Sequence, residues 1–395
     1  MKNQYLFATD VGTSSIKVIV GQVKPDGLVT VLGIGTAPAE GFVKGVITDI
    51  QALAKSIRQA LDCASVATNV AIGPVHLGIS GDAVRFYTCR GSVSPVFPER
   101  ISQEDINRAL RAAIVTGIPE ESTILHTVPI GYWLDGVKVE DMTAQHKGSR
   151  LEVEVCIAAL DKRIEFQLER ALQDREVMIA DIHANAFAAS NFSSAANQYI
   201  VIDMGAGTTD LAFYSKQHLE TAATLLLGGD YITHDIAQGV GVSRAHAEEI
   251  KRYYAKLNSD LYGQDVILDC NDYGTTDKHV AYDFLHHIVE SRVQEIVELV
   301  YEQAAPVLQG HEEIILTGGC CYLPSLKARL ELLFGIPVRL APLEALLPEY
   351  AFYTNTAVYG LVEYAATRKL PQDVPNENVP SGMLDSFWER VKSFF

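Results

Sequence analysis

Two stretches of this sequence repeat one device. "ATDVGTSSIKVIV" begins at Ala8 and "VIDMGAGTTDLAFY" runs from Val201 to Tyr214, and each sets an acid, glycine and small or hydroxyl residues between two apolar, strand-like runs. Gly, Ser and Thr in such a turn leave backbone N–H groups and hydroxyls open, so phosphate can approach without meeting a side chain. Two loops of this kind facing each other would clasp a polyphosphate. The carboxylates that open them, Asp10 and Asp203, suit a hydrated Mg²⁺ bridging phosphate oxygens, and Lys17 adds a compensating cation. A single such loop reads as readily as a tight hairpin, with glycine for positive φ and Asp or Thr as local caps. Repetition in matching strand contexts is what favours the clasp.

At 395 residues with 48 % hydrophobic content, the chain is long enough for two sizeable cores and is expected to hold two or more domains. A formal net charge of −17 and the lack of a basic stripe argue against a nucleic-acid partner, because such binding neutralises phosphates with clustered Lys and Arg. The six cysteines, at 63, 89, 156, 270, 320 and 321, show no C-x-x-C and no zinc-spaced histidine, so they read as reduced thiols of a cytosolic protein. His183, His286 and His287 have no carboxylate or cysteine at ligand spacing and are assigned no metal. The N-terminus reaches an acid and a glycine too soon for a signal peptide, and no run approaches the roughly 18 apolar residues of a transmembrane helix.

Strand-like runs at 5–23 and "LVTVLGIGTAP" predict a β-meander, and "ITDIQALAKSIRQALDCA" predicts a helix after the caps Thr48 and Asp49. From about 83 to 159 the texture changes to strands around one helix, "SQEDINRALRAAI", capped by Ser102, which predicts a small α/β unit set inside a larger domain. Helical spacing resumes at "IEFQLERALQDR" and "ADIHANAFAASNF". After the second loop come "GGDYITHDIAQGV", the long helical stretches "SRAHAEEIKRYYAKL" and "AYDFLHHIVESRVQEIVELVYEQAAPVL", and a closing helix near "YTNTAVYGLVEYAATR". "KLPQDVPNENVPSG" reads as a linker and the final "MLDSFWERVKSFF" as amphipathic.

In "ILTGGCCYLPSL" a buried strand runs into Gly318 and Gly319, where the backbone has room to approach a flat ring or a ribose. Together with the two loops, this resembles the phosphate-1, phosphate-2 and adenosine motifs of the actin-like ATPase superfamily. Within it the chain is similar to the FtsA family of bacterial cell-division proteins. "DVGTSSIKVIVG", "GVITDI", "IDMGAGTTDLAFY", "GGDYITHDIA", "AEEIK" and "ILTGGCCYLPSL" follow in that family's order, the likeness covers roughly residues 5–368, and the 83–159 unit stands where FtsA carries its distinctive subdomain.

The resemblance implies an actin-like two-lobed α/β fold of duplicated mixed-sheet ATPase domains, with an inserted small α/β subdomain and a C-terminal amphipathic helix. Residues 1–82, 160–199 and 356–368 would form the first core subdomain, 83–159 the insert, 200–228 with 311–355 the second core subdomain, and 229–310 its smaller companion. The linker would be 369–382 and the helix 383–395. ATP and Mg²⁺ are the implied cofactors. Asp10 and Asp203 would hold Mg²⁺ through water, and Gly12, Thr13, Ser14, Lys17, Gly205, Gly207 and Thr208 would surround the phosphates. Gly228, Gly229, Glu248, Lys251, Gly318 and Gly319 would surround the nucleoside, although Glu248 and Lys251 read equally as an i, i+3 pair on a solvated helix.

At about 100° per residue, Met383, Leu384, Phe387, Trp388, Val391, Phe394 and Phe395 fall within an arc of roughly 140°. So short a segment needs a surface to fold upon. Docking onto the chain's own body is the ordinary fate of such a face, but the proline-rich tether and terminal aromatics favour a membrane. Two acids and two bases cancel, so apolar insertion must carry the binding.

The resemblance thus implies a protein that self-associates into actin-like filaments and links FtsZ polymers, with other divisome proteins, to membrane lipid. It would be peripheral, on the cytoplasmic face of the bacterial inner membrane at the division site. Hydrolysis is expected to be slow at most, because no residue is identified that must position the attacking water. The FtsZ surface is expected within about 229–310, where "ESRVQE" offers Glu290, Arg292 and Glu295, residues that also read as an ordinary charged helix face. Two other readings stay open. A PilM-like pilus-assembly adaptor shares the body and insert without needing the terminal helix, and a small-molecule kinase needs a further acid as general base beside an acceptor pocket.

Overall fold

The computed structural model describes residues 4–24, 28–139, 142, 146–188, 194–216, 218–257, 259–269, 279–342 and 348–367; the linker and terminal helix expected over 369–395 lie outside them. The chain opens with an antiparallel meander of Gln4–Val11, Ser15–Val23 and Val29–Pro38, in which Asp10 pairs with Lys17. Val75–Ile79 and then Ile179–Ala184 extend the sheet in parallel on the other side of the first strand.

The second lobe repeats this plan. Gln198–Met204, Thr209–Ser215 and His218–Leu225 form the meander, and Glu313–Thr317 and Val338–Leu340 add in parallel beside its first strand. The duplicated loops therefore belong to duplicated sheets of identical strand order. The register that pairs Asp10 with Lys17 in one hairpin pairs Asp203 with Asp210 in the other, so a cation in the first lobe is replaced by an acid in the second.

The first strands are apolar on consecutive residues because both faces of their sheets are buried: helices cover both faces of the first sheet, whereas the second sheet has helices on one face and turns Tyr199, Val201 and Ala212 on the other into the first lobe's core. Ile50–Thr68 lays Leu53, Ile57 and Leu61 against Phe7, Val18 and Val20. The last helix, Thr356–Thr367, returns to the opposite face, where Val358, Leu361 and Val362 meet Leu6, Ala8 and Ile19. In the second lobe Gly229–Val240, Arg244–Tyr254, Tyr282–Ala304 and Leu326–Phe334 close over Ile202, Leu211 and Phe213. The expected caps are present: Asp49 accepts from the amides of Gln51 and Ala52, and Ser102 forms a capping box with Asp105.

Between the lobes' elements a four-stranded antiparallel sheet is inserted, ordered Val84–Val93, Leu151–Asp161, Ser122–Leu134 and Val137–Val139. Period two divides the strand Leu151–Asp161. Leu151, Val153, Val155 and Ile157 pack on the helix Gln103–Gly117, whereas Cys156, Ala158 and Leu160 join the core of the first lobe.

One sequence reading is overturned here. "ADIHANAFAASNF" does not begin as a helix; Ile179–Ala184 is the edge strand of the first sheet, and among the described residues of the run Asn185–Ala188 turns helically. A short run with apolar residues at both spacings satisfies either period, and pairing beside Val75–Ile79 decides it. No described helix is long and apolar enough to cross a membrane. The described cysteines 63, 89, 156, 320 and 321 are free thiols.

Candidate functional site

A cleft of about 820 Å³ lies between the lobes. Every residue expected to face phosphate, metal or nucleoside lines it except Gly228. The two glycine loops meet across it: a Cβ on Gly207 would lie 2.9 Å from the Cβ and Cγ2 of Thr13, so this contact admits only glycine without displacement. Gly228 has a different task. Its own Cβ would overlap the carbonyls of Gly205 and Ala206, and its absence lets the Gly229–Val240 helix dock on the second loop. The amides of Gly229 and Asp230 donate to the carbonyls of Gly205 and Ala206 at 3.0 and 2.8 Å. Those helix-terminal donors hold the loop rather than a ligand. Gly318, at φ +89°, is similarly forced, because a side chain there would collide with Asp203 and the Met204 carbonyl.

Three carboxylates converge on the cleft with little to neutralise them. Burial pushes Asp203 up to about 8, with the charges of Asp210 and Asp10 adding to the shift and Lys17 opposing it. Burial likewise lifts Asp210 to about 6, against hydrogen bonds from Thr224 and Ser80. Asp10 is raised by burial too, restrained by Lys17 and by Asn185, whose Nδ2 donates to Asp10 Oδ1 at 2.8 Å. The Oδ1 of Asn185 is buried and has no hydrogen-bond partner among the described residues. Lys17 donates to the Thr354 carbonyl at 2.5 Å, which ties the first hairpin to the segment returning from the second lobe.

At the other end, Glu248 and Lys251 are both an ion pair and part of the cleft wall. They lie 2.6 Å apart, and Lys251 also donates to the Gly229 carbonyl at 3.0 Å and to Thr233 at 2.8 Å. Burial would raise the Glu248 carboxyl, but Lys251, Thr233 and Arg252 outweigh it and hold it below its usual range. Asp210, Asn185, Tyr322, Phe352 and Tyr353 also line the cleft and are not singled out by the sequence. Asp210 has a signal, since it ends the repeat at the place of Lys17; Asn185 has none, because the run that carries it has helical spacing throughout.

Asp, Asn and backbone oxygens are the hard donors that Mg²⁺ prefers, and the unpartnered Asn185 oxygen could accept from a metal-bound water. Among the described residues no three His, Cys, Asp or Glu side chains close into a direct metal cluster.

The three residues offered as a partner surface separate. Glu290 is buried and accepts from Tyr254 at 3.1 Å, Ser325 at 2.6 Å and Arg329 at 2.9 Å, which makes it a strut between helices. Arg292 is clamped to Asp235 at 2.5 Å and to Glu295 at 2.6 Å. Only Glu295 is substantially exposed. His183 is not a lone helical residue; it sits buried on a strand, 3.1 Å from His76. The residues expected to face a membrane, Met383 to Phe395, lie outside the described residues.

Comparison with known proteins agrees with this architecture. The chain resembles solved actin-like structures at the level of fold: a PilM-PilN type IV pilus biogenesis complex at TM-score 0.66 and 17 % identity, covering 91 % of this chain and 98 % of that one. MreB 5 of Spiroplasma citri bound to AMPPNP gives TM-score 0.52 and 13 % identity, covering 93 % and 98 %. The profile described as "SHS2 domain inserted in FTSA" matches residues 81–159, and that described as "Cell division protein FtsA" matches 200–356. The cell division protein FtsA of Bacillus subtilis is 31 % identical, covering 86 % of this chain and 79 % of that protein. Its Pseudomonas aeruginosa counterpart is 30 % identical, covering 84 % and 81 %, and that of Escherichia coli K12 is 27 % identical, covering 98 % and 96 %. With an actin-like body, an insert of the matching type and relatives of this identity along most of its length, the chain belongs to the FtsA family of cell-division proteins.

Proposed function

We propose that the interlobe cleft binds ATP with Mg²⁺ and that the chain polymerises and tethers FtsZ filaments to the cytoplasmic membrane. The observation that carries the nucleotide reading is the pair of glycine loops meeting at Thr13 and Gly207 above three under-neutralised carboxylates. A phosphate chain alone would repel those acids, and Mg²⁺, when bound, supplies the positive charge that reconciles them. Asp10 and Asp203 would hold it through water, with Asn185 fixing Asp10 and Lys17 balancing part of the charge. Backbone N–H groups of the two loops would cradle the phosphates, while Gly229, Lys251, Gly319 and their neighbours would border the nucleoside. The structural likeness to an AMPPNP-bound MreB supports this reading.

Nucleotide acts here as a conformational ligand that draws the lobes together. The terminal residues Met383, Leu384, Phe387, Trp388, Val391, Phe394 and Phe395 would supply the membrane anchor. FtsZ would meet the second-lobe helices, with Glu295 the exposed member of the proposed contact set. Calorimetry tests the cleft. Wild type is expected to bind ATP more tightly with Mg²⁺ than without, and Asp203→Asn to lose most of that difference while still binding Mg²⁺-free ATP. A wild-type affinity indifferent to Mg²⁺ would overturn the assignment.

A further inference from the structure

The insert reaches into the cleft's supporting structure through a buried histidine. His126, on the inserted strand Ser122–Leu134, is 1 % exposed and is gripped by three elements of the first lobe. Its Nε2 accepts the Ala184 N–H at 3.0 Å, its Nδ1 lies 2.9 Å from the Tyr364 hydroxyl on the last helix, and its ring stacks on Phe187 at 4.6 Å and 8°. Because Nε2 is the acceptor, the neutral imidazole carries its proton on Nδ1 and donates to Tyr364. Ala184 ends the edge strand of the first sheet, and the next residue, Asn185, donates to Asp10. One peptide link thus separates the amide held by the insert from the side chain that holds a metal-facing carboxylate.

We infer that His126 is a positioning residue for the Asp10–Asn185 pair, so that the insert and the metal-facing end of the cleft move as one unit. This rests on the reading of the cleft as a Mg²⁺-nucleotide site. An edge strand's buried N–H must find an acceptor, and here it finds one on another subdomain. Without it the strand end shifts toward another partner, and Asn185 shifts with it. A contact that displaces the insert therefore alters how Asp10 is presented, and occupancy of the cleft feeds back on the insert.

His126→Leu keeps the packing and removes the acceptor; in His126→Gln the Oε1 stands where Nε2 stood. Hydrogen exchange of the full nucleotide-free chain is expected to show the Ala184 amide about tenfold faster in His126→Leu and near wild type in His126→Gln. The Mg²⁺ concentration for half-maximal enhancement of ATP binding is expected to rise several-fold in His126→Leu and in Asn185→Ala, and no further in the double variant. Affinity of His126→Leu for Mg²⁺-free ATP should stay unchanged. A faster Ala184 amide with a wild-type Mg²⁺ midpoint would make His126 merely structural and overturn the proposal, as would equal loss of Mg²⁺-free binding. Should His126→Leu fail to fold, His126→Asn, too short to reach Ala184, takes its place in both readouts. Wild type without any Mg²⁺ dependence would instead remove the cleft reading, and this inference with it.

Discussion

Gly207 is the position at which the clasp can be tested by a single methyl group. In Gly207→Ala the new carbon would stand 2.9 Å from Thr13 Cβ and Cγ2, and nearer still to its Oγ1. Carbon atoms pack at about 3.5–4.0 Å, so the loops must part by roughly 0.6–1 Å. Thr13 is not free to turn away, since its hydroxyl accepts the Lys44 N–H at 3.3 Å. Overpacking of this kind costs about 1–3 kcal/mol. Lobes without ligand can relax apart, whereas lobes drawn onto a polyphosphate cannot, so the cost falls on the bound state as a loss of about 5- to 150-fold in affinity. Thr13→Gly removes all three clashing atoms. Calorimetry with Mg²⁺ and ATP on wild type, both single variants and Thr13→Gly/Gly207→Ala should give a coupling of about 1–3 kcal/mol, with the methyl better tolerated in the Thr13→Gly background. Affinity of Gly207→Ala within about twofold of wild type, or zero coupling, would refute the facing-loop geometry.

Lys44 crosses from the first lobe to Tyr231 of the second, donating to its hydroxyl with Nζ 3.8 Å from the ring centroid. Lys44→Met should therefore speed ATP release by about 2- to 30-fold, the rate equivalent of a contact of about 0.5–2 kcal/mol, and unchanged release in stopped flow would dismiss it as a latch. Glu290→Ala strips the buried strut from Arg329, Ser325 and Tyr254 and should lower stability by about 2–4 kcal/mol in chemical unfolding. Glu295→Ala on the exposed side should cost no more than about 0.5 kcal/mol, and equal losses would contradict the assignment. The acids Asp203 and Asp210, at about 8 and about 6, hold protons more tightly folded than unfolded. Their contribution to metal-free stability is full below about pH 4 and is lost as pH rises through those values. Mg²⁺ bound as proposed would displace the same protons, so its stabilisation of the melting temperature with ATP should grow from pH 6 to pH 8. A shift that shrinks over that range would count against the metal site.

The doubled motif makes the two sheets legible in the sequence, because an acid, a glycine turn and two apolar strands leave few alternatives in a chain of this composition. Helices with caps, such as those after Asp49 and Ser102, are equally plain. The failures share a cause. Residues 179–184 satisfy strand and helix spacing alike, and only the open edge beside Val75–Ile79 selects the strand. Asn185 is hidden with it. Glu290 has the sequence signature of a solvated face, but its burial depends on Arg329 arriving from a helix 39 residues later. Gly228 lies next to a true cleft residue, and which of two adjacent glycines faces the cleft is fixed by how the second lobe's first helix docks on the loop.

The most direct test of the account is recruitment of FtsZ polymers to lipid vesicles by this chain in the presence of ATP and Mg²⁺. Wild type should bring FtsZ down with vesicles, and Trp388→Glu, which sets a carboxylate in the centre of the terminal apolar arc, should leave both proteins in the supernatant. Glu389→Lys, on the polar side of the same segment, should behave as wild type. Recruitment of FtsZ by Trp388→Glu at wild-type levels, with no sedimentation when vesicles are omitted, would contradict the tether.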